Sequence, residues 1–307
     1  MNRVNGYIIL DDYIDEEERE TEEFQSSSKG VKEGKLRFWL EIENNQRVFF
    51  KLCGGNEFNE LIAEEILNIL GIPCAHYDLA IFNGIKGVIS YDYKEKNIKY
   101  IKGYTILKEY YDYLEANDKF ENLLPDEKID FMDDEDAYSR LDIIWDALYY
   151  HYRDRENVYE IVKKLMQELV IKRNIDLILL NNDDHAHNWE IMENVKEISL
   201  SPYFDNTRFF ETEDILLQTT FGKVHNIKED LEEYMRLSSE ENILEFIHLF
   251  NKIDGALLGN AINKAIQRTN YKPNEDYIKR IFAIFNRNRK MILSVIENYQ
   301  ENKKLGD

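Results

Sequence analysis

The first hundred residues of this chain carry strand patterns, whereas most of the remaining sequence carries helical patterns. Two apolar, aromatic-rich runs, Lys35–Ile42 and Arg47–Leu52, flank a short polar turn and therefore predict a β-hairpin. Two further runs, Ala75–Phe82 and Gly87–Tyr91, predict strands that an Asn-Gly pair joins. This change of pattern predicts an α+β fold in which a small β-rich part precedes a larger, mostly helical part.

Helical spacing of apolar residues predicts one helix among the strands and several helices after them. Asn59–Leu70 has its apolar residues on one face, and Gly71 is expected to end that helix. The strongest amphipathic pattern covers residues 158–170. Glu241–Asn251 and Asp276–Tyr299 are also expected to be helical.

The charge and cysteine content narrow the classes of partner and compartment. The formal net charge of −21 repels nucleic-acid phosphates and anionic lipid headgroups, so neither direct nucleic-acid binding nor membrane binding is expected. A basic peptide or protein suits this charge better, although most of the acidity is interpreted as solvated surface. Two cysteines make no disulfide framework, no signal peptide is recognisable, and no apolar run approaches the ~20 residues that span a membrane. A cytoplasmic protein is therefore expected.

Three polar side chains have the order and spacing that a phosphoryl-transfer site requires. Asp183 stands five residues before Asn188, and Asp205 follows after a short apolar segment. An aspartate can accept the proton of an attacking hydroxyl, and asparagine and aspartate oxygens suit Mg²⁺. Kinase catalytic loops have the same D-x-x-x-x-N spacing, followed by a second, metal-binding aspartate.

Two β-like runs flank this loop. Leu177–Leu180 is apolar and leads into it, whereas Glu197–Leu200 leads from it toward Asp205. Together they predict a short hairpin that brings Asn188 and Asp205 together as neighbours.

Two motifs in this region resemble the signature of the HipA-like serine/threonine kinases. Residues 183–188 read DDHAHN and residues 200–205 read LSPYFD, which is similar to the family pattern D-x-H-x-x-N … L-x-P-x-x-D. The resemblance extends upstream, where FFK at 49–51 is similar to the family's lysine strand and NE at 59–60 precedes LGIP at 70–73. In size the chain is closer to the short, CtkA-like branch than to the long HipA toxins, which carry an additional N-terminal subdomain.

The resemblance implies a bilobal, protein-kinase-like fold. Its N-lobe would occupy residues 1–100, with the phosphate loop, the lysine strand and one helix. Its helical C-lobe would occupy residues 101–307, with the catalytic loop and the metal-binding aspartate. Lys51, paired with Glu60 on the helix, would contact the phosphates of ATP.

The same resemblance assigns roles in the catalytic loop. Asp183 would orient the acceptor hydroxyl and take its proton, while Asn188 and Asp205 would bind Mg²⁺. His185 would support the loop by hydrogen bonds to the backbone. The implied reaction is phosphoryl transfer from ATP to a serine or threonine hydroxyl of a protein, and it includes autophosphorylation.

Further nucleotide contacts are implied at a hinge and at a phosphate loop. The hinge that meets adenine would comprise four consecutive residues: Ser90, Tyr91, Asp92 and Tyr93. The candidate phosphate loop, QSSSKG at 25–30, would cradle phosphates with backbone N–H groups near Ser28 and Gly30.

Partners follow from the resemblance as well. The substrate is expected to be a protein with a serine or threonine acceptor. Toxin-type members of the family imply an antitoxin or other regulatory protein, or else an effector role. A bacterial cytoplasmic location is expected, with secretion as an effector left open.

Other interpretations stay open at the level of sequence. With the same fold, the chain would be a nucleotide-binding pseudokinase or interaction module. His185 and His187 form an H-x-H pair near aspartates, which also suits a metal-dependent hydrolase, although His187 is expected to be exposed. Glu64 lies one turn from Glu60 and is the second candidate partner of Lys51.

The HYRD sequence at 151–154 resembles the kinase H-R-D triplet, but Tyr159 stands where an asparagine is required. These residues are interpreted as a loop before the helix at 158–170, with Asp154 as a candidate N-cap.

Overall fold

The computed structural model describes residues 2–13, 37–117, 119, 141–181, 186–205, 209–210, 218–219, 222–223 and 227–306. These residues fall into two compact units, each formed from segments that are separate in sequence. The first unit takes its described residues from 1–94, 204–211 and 254–282, and the second takes them from 95–203, 212–253 and 283–307. The predicted division into functional lobes near residue 100 stays a prediction.

Strands and helices follow the order that the sequence patterns indicate. The described strands are β1 (Arg3–Val4), β2 (Tyr7–Ile9), β3 (Arg37–Ile42), β4 (Gln46–Lys51), β5 (Tyr77–Phe82), β6 (Ile85–Tyr91), β7 (Lys99–Lys102), β8 (Glu190–Glu193), β9 (Ile198–Leu200), β10 (Gln218–Thr219) and β11 (Gly222–Lys223). The described helices are α1 (Glu57–Leu70), α2 (Gly103–Ala116), α3 (Leu141–His151), α4 (Val158–Leu179), α5 (Ile227–Leu237), α6 (Glu240–Lys252), α7 (Gly255–Thr269) and α8 (Glu275–Gly306). Within the described residues, no helix combines the length and the apolar character needed to cross a membrane.

The first unit is built on a sheet with the strand order β1-β2-β5-β6-β4-β3. β3 and β4 form the predicted hairpin, with Arg37 opposite Lys51 at its open end. The connecting turn, Glu43–Asn45, contains Asn44 and Asn45 at φ values of 63° and 56°. Asparagine tolerates this left-handed conformation better than most residues, which explains the Asn-Asn pair at the turn.

Side chains alternate between the two faces of this sheet, so the register decides what surrounds Lys51. One face is an apolar core whose buried members are Ile8, Leu10, Phe38, Leu40, Ile42, Val48, Phe50, Ala80, Phe82 and Ile89. The opposite face carries Lys51, and strand pairing places Val88 of β6 and Leu79 of β5 in the same row. The lysine therefore stands on the face opposite to the apolar core.

Helix α1 packs on β5 and β6 and contributes buried apolar residues such as Leu61, Ile62 and Ile66. It ends at Gly71, which has a φ of 74° and donates its backbone N–H to the carbonyls of the last turn. A glycine in the left-handed conformation is the usual helix stop, so the predicted helix and its end are both confirmed.

Helix α7 packs against α1 within the same unit. Its Arg268 side chain lies 2.6 Å from a carboxylate oxygen of Glu64 and 3.1 Å from one of Glu65. Asp254 caps the start of α7 by accepting a hydrogen bond from the backbone N–H of Leu257. These contacts fix the helix that carries Glu60.

The second unit combines the β7-β8-β9 sheet with helices α2, α3 and α4. Its apolar core draws on all of them through Ile101, Ile106, Leu107, Tyr111, Ile143, Ile144, Ala147, Leu148, Val162, Leu165, Leu169, Trp189 and Ile191. The strong pattern at 158–170 belongs to α4, and the patterns at 241–251 and 276–299 belong to α6 and α8, as predicted.

One predicted element is wrong. Leu177–Leu180 is not a strand, because α4 continues to Leu179 and Leu180 forms its left-handed end with a φ of 57°. Short apolar runs do not distinguish a buried strand from the buried end of a helix. The hairpin in this region is formed instead by β8 and β9, so the predicted strand at 197–200 is confirmed but its partner is different.

Candidate functional site

Lys51 is the centre of a charged cluster in the first unit. Its ammonium group contacts Asp205 Oδ1 directly and lies 3.5 Å from Glu60 Oε1. The Lys51 side chain is only 12% exposed, and that of Glu60 only 1%. Buried charges are tolerated when they are paired, and here one cation faces two carboxylates.

Opposing effects act on the pKa of Lys51. Burial alone would lower this pKa, but the nearby carboxylates of Asp205 and Glu60 outweigh it and raise the pKa above its ordinary value. The ammonium group therefore stays charged at neutral pH. A permanent positive charge at the end of a strand is suited to bind a phosphate group.

The acidic residues of α1 have different partners. Glu57 accepts a hydrogen bond from the backbone N–H of Gly55 at 3.1 Å. Glu64, the second candidate partner of Lys51, bonds to Arg268 and to the backbone N–H of Tyr77. In this structure the α1 carboxylate that faces Lys51 is that of Glu60.

Asp205 is held in an uncommon backbone conformation with a φ of 59°. Its backbone N–H donates to the hydroxyl oxygen of Tyr77, at 2.9 Å, while its side chain contacts Lys51. Left-handed residues other than glycine cost of order 1 kcal/mol and persist where neighbours hold them, often at functional sites. Burial raises the pKa of Tyr77 well above its usual range, so its hydroxyl stays neutral.

The predicted hinge residues lie at the end of β6 and just beyond it. Ser90 pairs with Phe49 of β4, and the N–H of Asp92 donates to the carbonyl of Arg47 at 2.9 Å. The Tyr91 ring stacks on His76, with ring centroids 4.9 Å apart, and the Tyr93 ring stacks on Phe204 at 6.1 Å. The hinge segment therefore continues from the end of β6, an inner strand that pairs with β4.

Two aromatic side chains that the sequence interpretation did not select share the sheet face of Lys51. Phe49 lies two residues before Lys51, and Trp39 pairs with Phe49 across the hairpin, with ring centroids 5.1 Å apart. Trp39 is 47% exposed, and the guanidinium of Arg47 lies 4.7 Å from its ring centroid. The sequence could have indicated this position, because the alternation of side chains along β3 places Trp39 on the face opposite to the apolar core.

In the second unit, Asn188 is buried in the turn between α4 and β8. The start of α2 holds this turn, since the Gly103 N–H donates to the Trp189 carbonyl at 3.0 Å and the Tyr104 N–H donates to that of Ala186 at 2.9 Å. His187 was expected to be exposed, but its side chain is half-buried. Its ring stacks on Tyr104, with centroids 4.4 Å apart.

A buried polar network fixes the end of α4, immediately before the predicted catalytic loop. Asp176 accepts hydrogen bonds from Lys172 Nζ at 2.6 Å and from Asn181 Nδ2 at 3.0 Å. The side chain of Asn288 donates to the carbonyls of Leu177 and Ile178. These bonds satisfy groups that helix ends leave without intrahelical partners.

Several predicted site residues lie outside the described residues. They are Asp183, His185, Ser28 and Gly30. His151 ends α3 and contacts Glu109, and the N-cap of α4 is Asn157, so the prediction that Asp154 caps this helix is wrong. Among the residues that the structure describes, no group of three or more His, Cys, Asp or Glu side chains is placed to hold a metal ion.

A substitution at Gly103 tests how tightly the turn that carries Asn188 is packed. A Cβ at this position would lie 2.2 Å from Trp189 Cε2, so Gly103→Ala should lower the free energy of unfolding by about 1–3 kcal/mol. Gly255 is also the first residue of a helix, but a Cβ there meets nothing within 4 Å, so Gly255→Ala is the matched control. Urea denaturation should show a loss only for the first variant, and equal stabilities would contradict the packing.

No protein-family model matches this sequence, and no curated protein does so. Solved structures do match its fold. The proinflammatory kinase CtkA of Helicobacter pylori matches with a TM-score of 0.55 and 14% identity, over 85% of this chain and 94% of that one.

The HipA, HipB and operator DNA complex of the Shewanella oneidensis MR-1 toxin–antitoxin system also matches. Its TM-score is 0.55 and its identity 14%, over 89% of this chain and 65% of that one. This chain thus spans about two thirds of the second protein's length. The predicted α+β, HipA-like kinase fold is confirmed by these likenesses.

Proposed function

We propose that this protein is an ATP- and Mg²⁺-dependent serine/threonine protein kinase of the HipA-like type. The observation that carries the proposal is the buried, charged Lys51 between Glu60 and Asp205. Phosphoryl transfer requires little covalent chemistry from a protein and depends mainly on positioning and charge neutralisation. A fixed ammonium group beside a carboxylate that suits a hard cation fits that requirement.

In this proposal each residue has one task. Lys51 binds the phosphates of the nucleotide, and Glu60 holds the Lys51 ammonium group in place. Asp205 and Asn188 supply oxygen ligands to Mg²⁺, and Asp183 takes the proton of the acceptor hydroxyl. The bound nucleotide supplies the phosphoryl group, and the metal ion neutralises its charge.

The base of the nucleotide is proposed to lie along the sheet face that carries Lys51. Trp39 is exposed and Phe49 is half-buried on that face, and the hinge residues 90–93 continue from the neighbouring strand. Aromatic side chains bind nucleobases by stacking, whichever base is present. This orientation would direct the phosphates toward Lys51.

The proposed acceptor is a serine or threonine hydroxyl of a protein, including one of this chain itself. A regulatory protein of the antitoxin type is a further proposed partner. It is suggested by the neighbour that was solved with HipB, and the net charge of −21 favours a basic binding surface on such a partner.

The direct test is transfer of labelled phosphate from ATP, in the presence of Mg²⁺, to the protein itself and to a bacterial extract. Transfer by the wild-type protein should be lost on chelation of Mg²⁺ and should fall by about 100-fold or more in Asp183→Ala. Asp184→Ala removes the adjacent carboxylate and should keep most of the activity. A wild-type protein that behaves like Asp183→Ala in this assay would refute the proposal.

A further inference from the structure

Asn59 links the helix that carries Glu60 to Phe209, four residues after Asp205. It precedes Glu60 on α1 and is completely buried. Its Nδ2 atom donates a hydrogen bond to the carbonyl of Phe209 at 2.6 Å. Its Oδ1 atom accepts a hydrogen bond from the Tyr277 hydroxyl at 2.5 Å.

The segment that receives this hydrogen bond is anchored by apolar burial. Phe209 and Phe210 are each only 1% exposed, and their rings meet edge to face with centroids 6.2 Å apart. Phe210 has a φ of 60°, so the chain turns sharply here. Burial of the rings fixes the position of the segment, and the bond from Asn59 fixes the direction of the Phe209 carbonyl.

Asp205 lies four residues before Phe209, and Glu60 directly follows Asn59. The two carboxylates repel each other, and both are attracted to the same ammonium group of Lys51. The shared cation attracts both carboxylates but does not by itself set the distance between the two backbones, so contacts away from the charges are needed to fix it. Asn59 meets this requirement because it ties α1 to the segment that follows Asp205.

We propose that Asn59, with Tyr277 as its support, is a positioning residue that sets the distance between Glu60 and Asp205. The inference rests on the proposed function, in which Glu60 orients the lysine and Asp205 is a metal ligand. In this proposal Asn59 contacts neither the nucleotide nor the metal ion. Its effect on transfer is exerted through the placement of Asp205.

The chemistry of the site explains why an asparagine is needed here. The side chain must donate to a carbonyl and accept from a hydroxyl at the same time, which an amide can do and a carboxylate cannot. Tyr277 is a reliable donor because burial raises its pKa far above the neutral range. Asn59→Leu removes both bonds at similar volume, whereas Tyr277→Phe removes only the supporting one.

The experiment compares these two variants with the wild-type protein. Partners that orient metal ligands typically change metal affinity by about 10–100-fold, so Asn59→Leu should raise the Mg²⁺ concentration for half-maximal transfer by about 10-fold. Tyr277→Phe should raise this Mg²⁺ concentration by about 5-fold, which corresponds to the free energy of about one hydrogen bond. The affinity for ATP measured without Mg²⁺ should stay within about 3-fold, since Lys51 and Glu60 remain.

Tyr234→Phe is the control, because it also removes a tyrosine hydroxyl, but in the second unit, where Tyr234 is buried and its hydroxyl donates to the Asn242 carbonyl. It should leave the Mg²⁺ dependence unchanged. If Asn59→Leu fails to fold, Tyr277→Phe carries the test alone. A folded Asn59→Leu or Tyr277→Phe protein with the wild-type Mg²⁺ dependence overturns the proposal, as does an equal change in Tyr234→Phe.

Hydrogen exchange without any ligand separates this inference from the proposed function. Peptides that contain the amides of Asp205, Phe209 and Phe210 should exchange faster in Asn59→Leu and in Tyr277→Phe than in the wild-type protein. Unchanged exchange overturns the positioning role even if the wild-type protein is an active kinase. Faster exchange in a protein that shows no transfer supports the positioning role and refutes only the kinase activity.

Discussion

Replacing Lys51 with methionine should reduce phosphoryl transfer from ATP by about 100-fold or more, because a fixed positive charge at the reacting phosphates is lost. Methionine keeps the length and the apolar stem of lysine, so the loss would report on the ammonium group that contacts Asp205 and Glu60. Initial rates of label transfer at saturating ATP and Mg²⁺ measure the effect. Lys86→Met is the control, since Lys86 is an exposed lysine of the same sheet.

The same substitution should also destabilise the protein, and the two effects must be separated. Removing one partner of a buried ion pair typically costs about 3–5 kcal/mol, here because two carboxylates lose their shared cation. Lys51→Arg restores the positive charge and should recover most of this stability. It should not recover transfer, because a guanidinium group presents its charge in a different geometry from an ammonium group. A folded Lys51→Met protein with the wild-type rate would exclude the proposed role of Lys51.

Local patterns were sufficient to predict the elements that carry Lys51 and Glu60. Alternating apolar residues gave the hairpin of β3 and β4, and the helical stripe with its terminal Gly71 gave α1. Each of these patterns depends on residues within about ten positions of one another, where periodicity is informative. The pairing of Glu60 with Lys51, by contrast, was implied by family resemblance, because Glu57 and Glu64 are equally acidic on the same helix.

The contacts that hold Asp205 could not be predicted in the same way. Tyr77, which accepts the hydrogen bond from the Asp205 N–H, lies 128 residues earlier in the chain, and Tyr277 lies 218 residues after its partner Asn59. No local periodicity connects such positions, because tertiary packing alone brings them together. The compact unit around Lys51 also includes the segment 254–282, which no composition change marks in the sequence.

The wrong strand at Leu177–Leu180 has a related cause. Four apolar residues in succession fit a buried strand and the buried end of a helix equally well. The helix prevails because α4 is already formed over five turns, and Asp176, Lys172 and Asn288 supply the polar bonds that its buried end needs. The sequence contained those polar residues, but the donor to the Leu177 carbonyl, Asn288, lies on α8, more than 100 residues away.

Replacing Asp205 with asparagine should lower Mg²⁺-supported transfer by about 100–1000-fold, because a neutral amide is a much weaker ligand for a hard cation and stabilises less charge. Asparagine has nearly the shape of aspartate and tolerates the left-handed φ of 59° found at this position. Its amide oxygen can still accept a hydrogen bond from Lys51, which also keeps Glu60. The fold should therefore persist, and the variant isolates the charge of Asp205 from its position.

Asp254→Asn is the matched control for this loss of charge. Asp254 caps α7 within the same unit, and asparagine caps helices about as well as aspartate, so stability and transfer should both stay near the wild-type values. Transfer measured over a range of Mg²⁺ concentrations distinguishes weak metal binding, which excess Mg²⁺ partly restores, from a loss at every concentration. A folded Asp205→Asn protein with the wild-type rate and Mg²⁺ dependence would show that Asp205 serves only as a partner of Lys51, and the metal site would then have to be sought elsewhere in the chain.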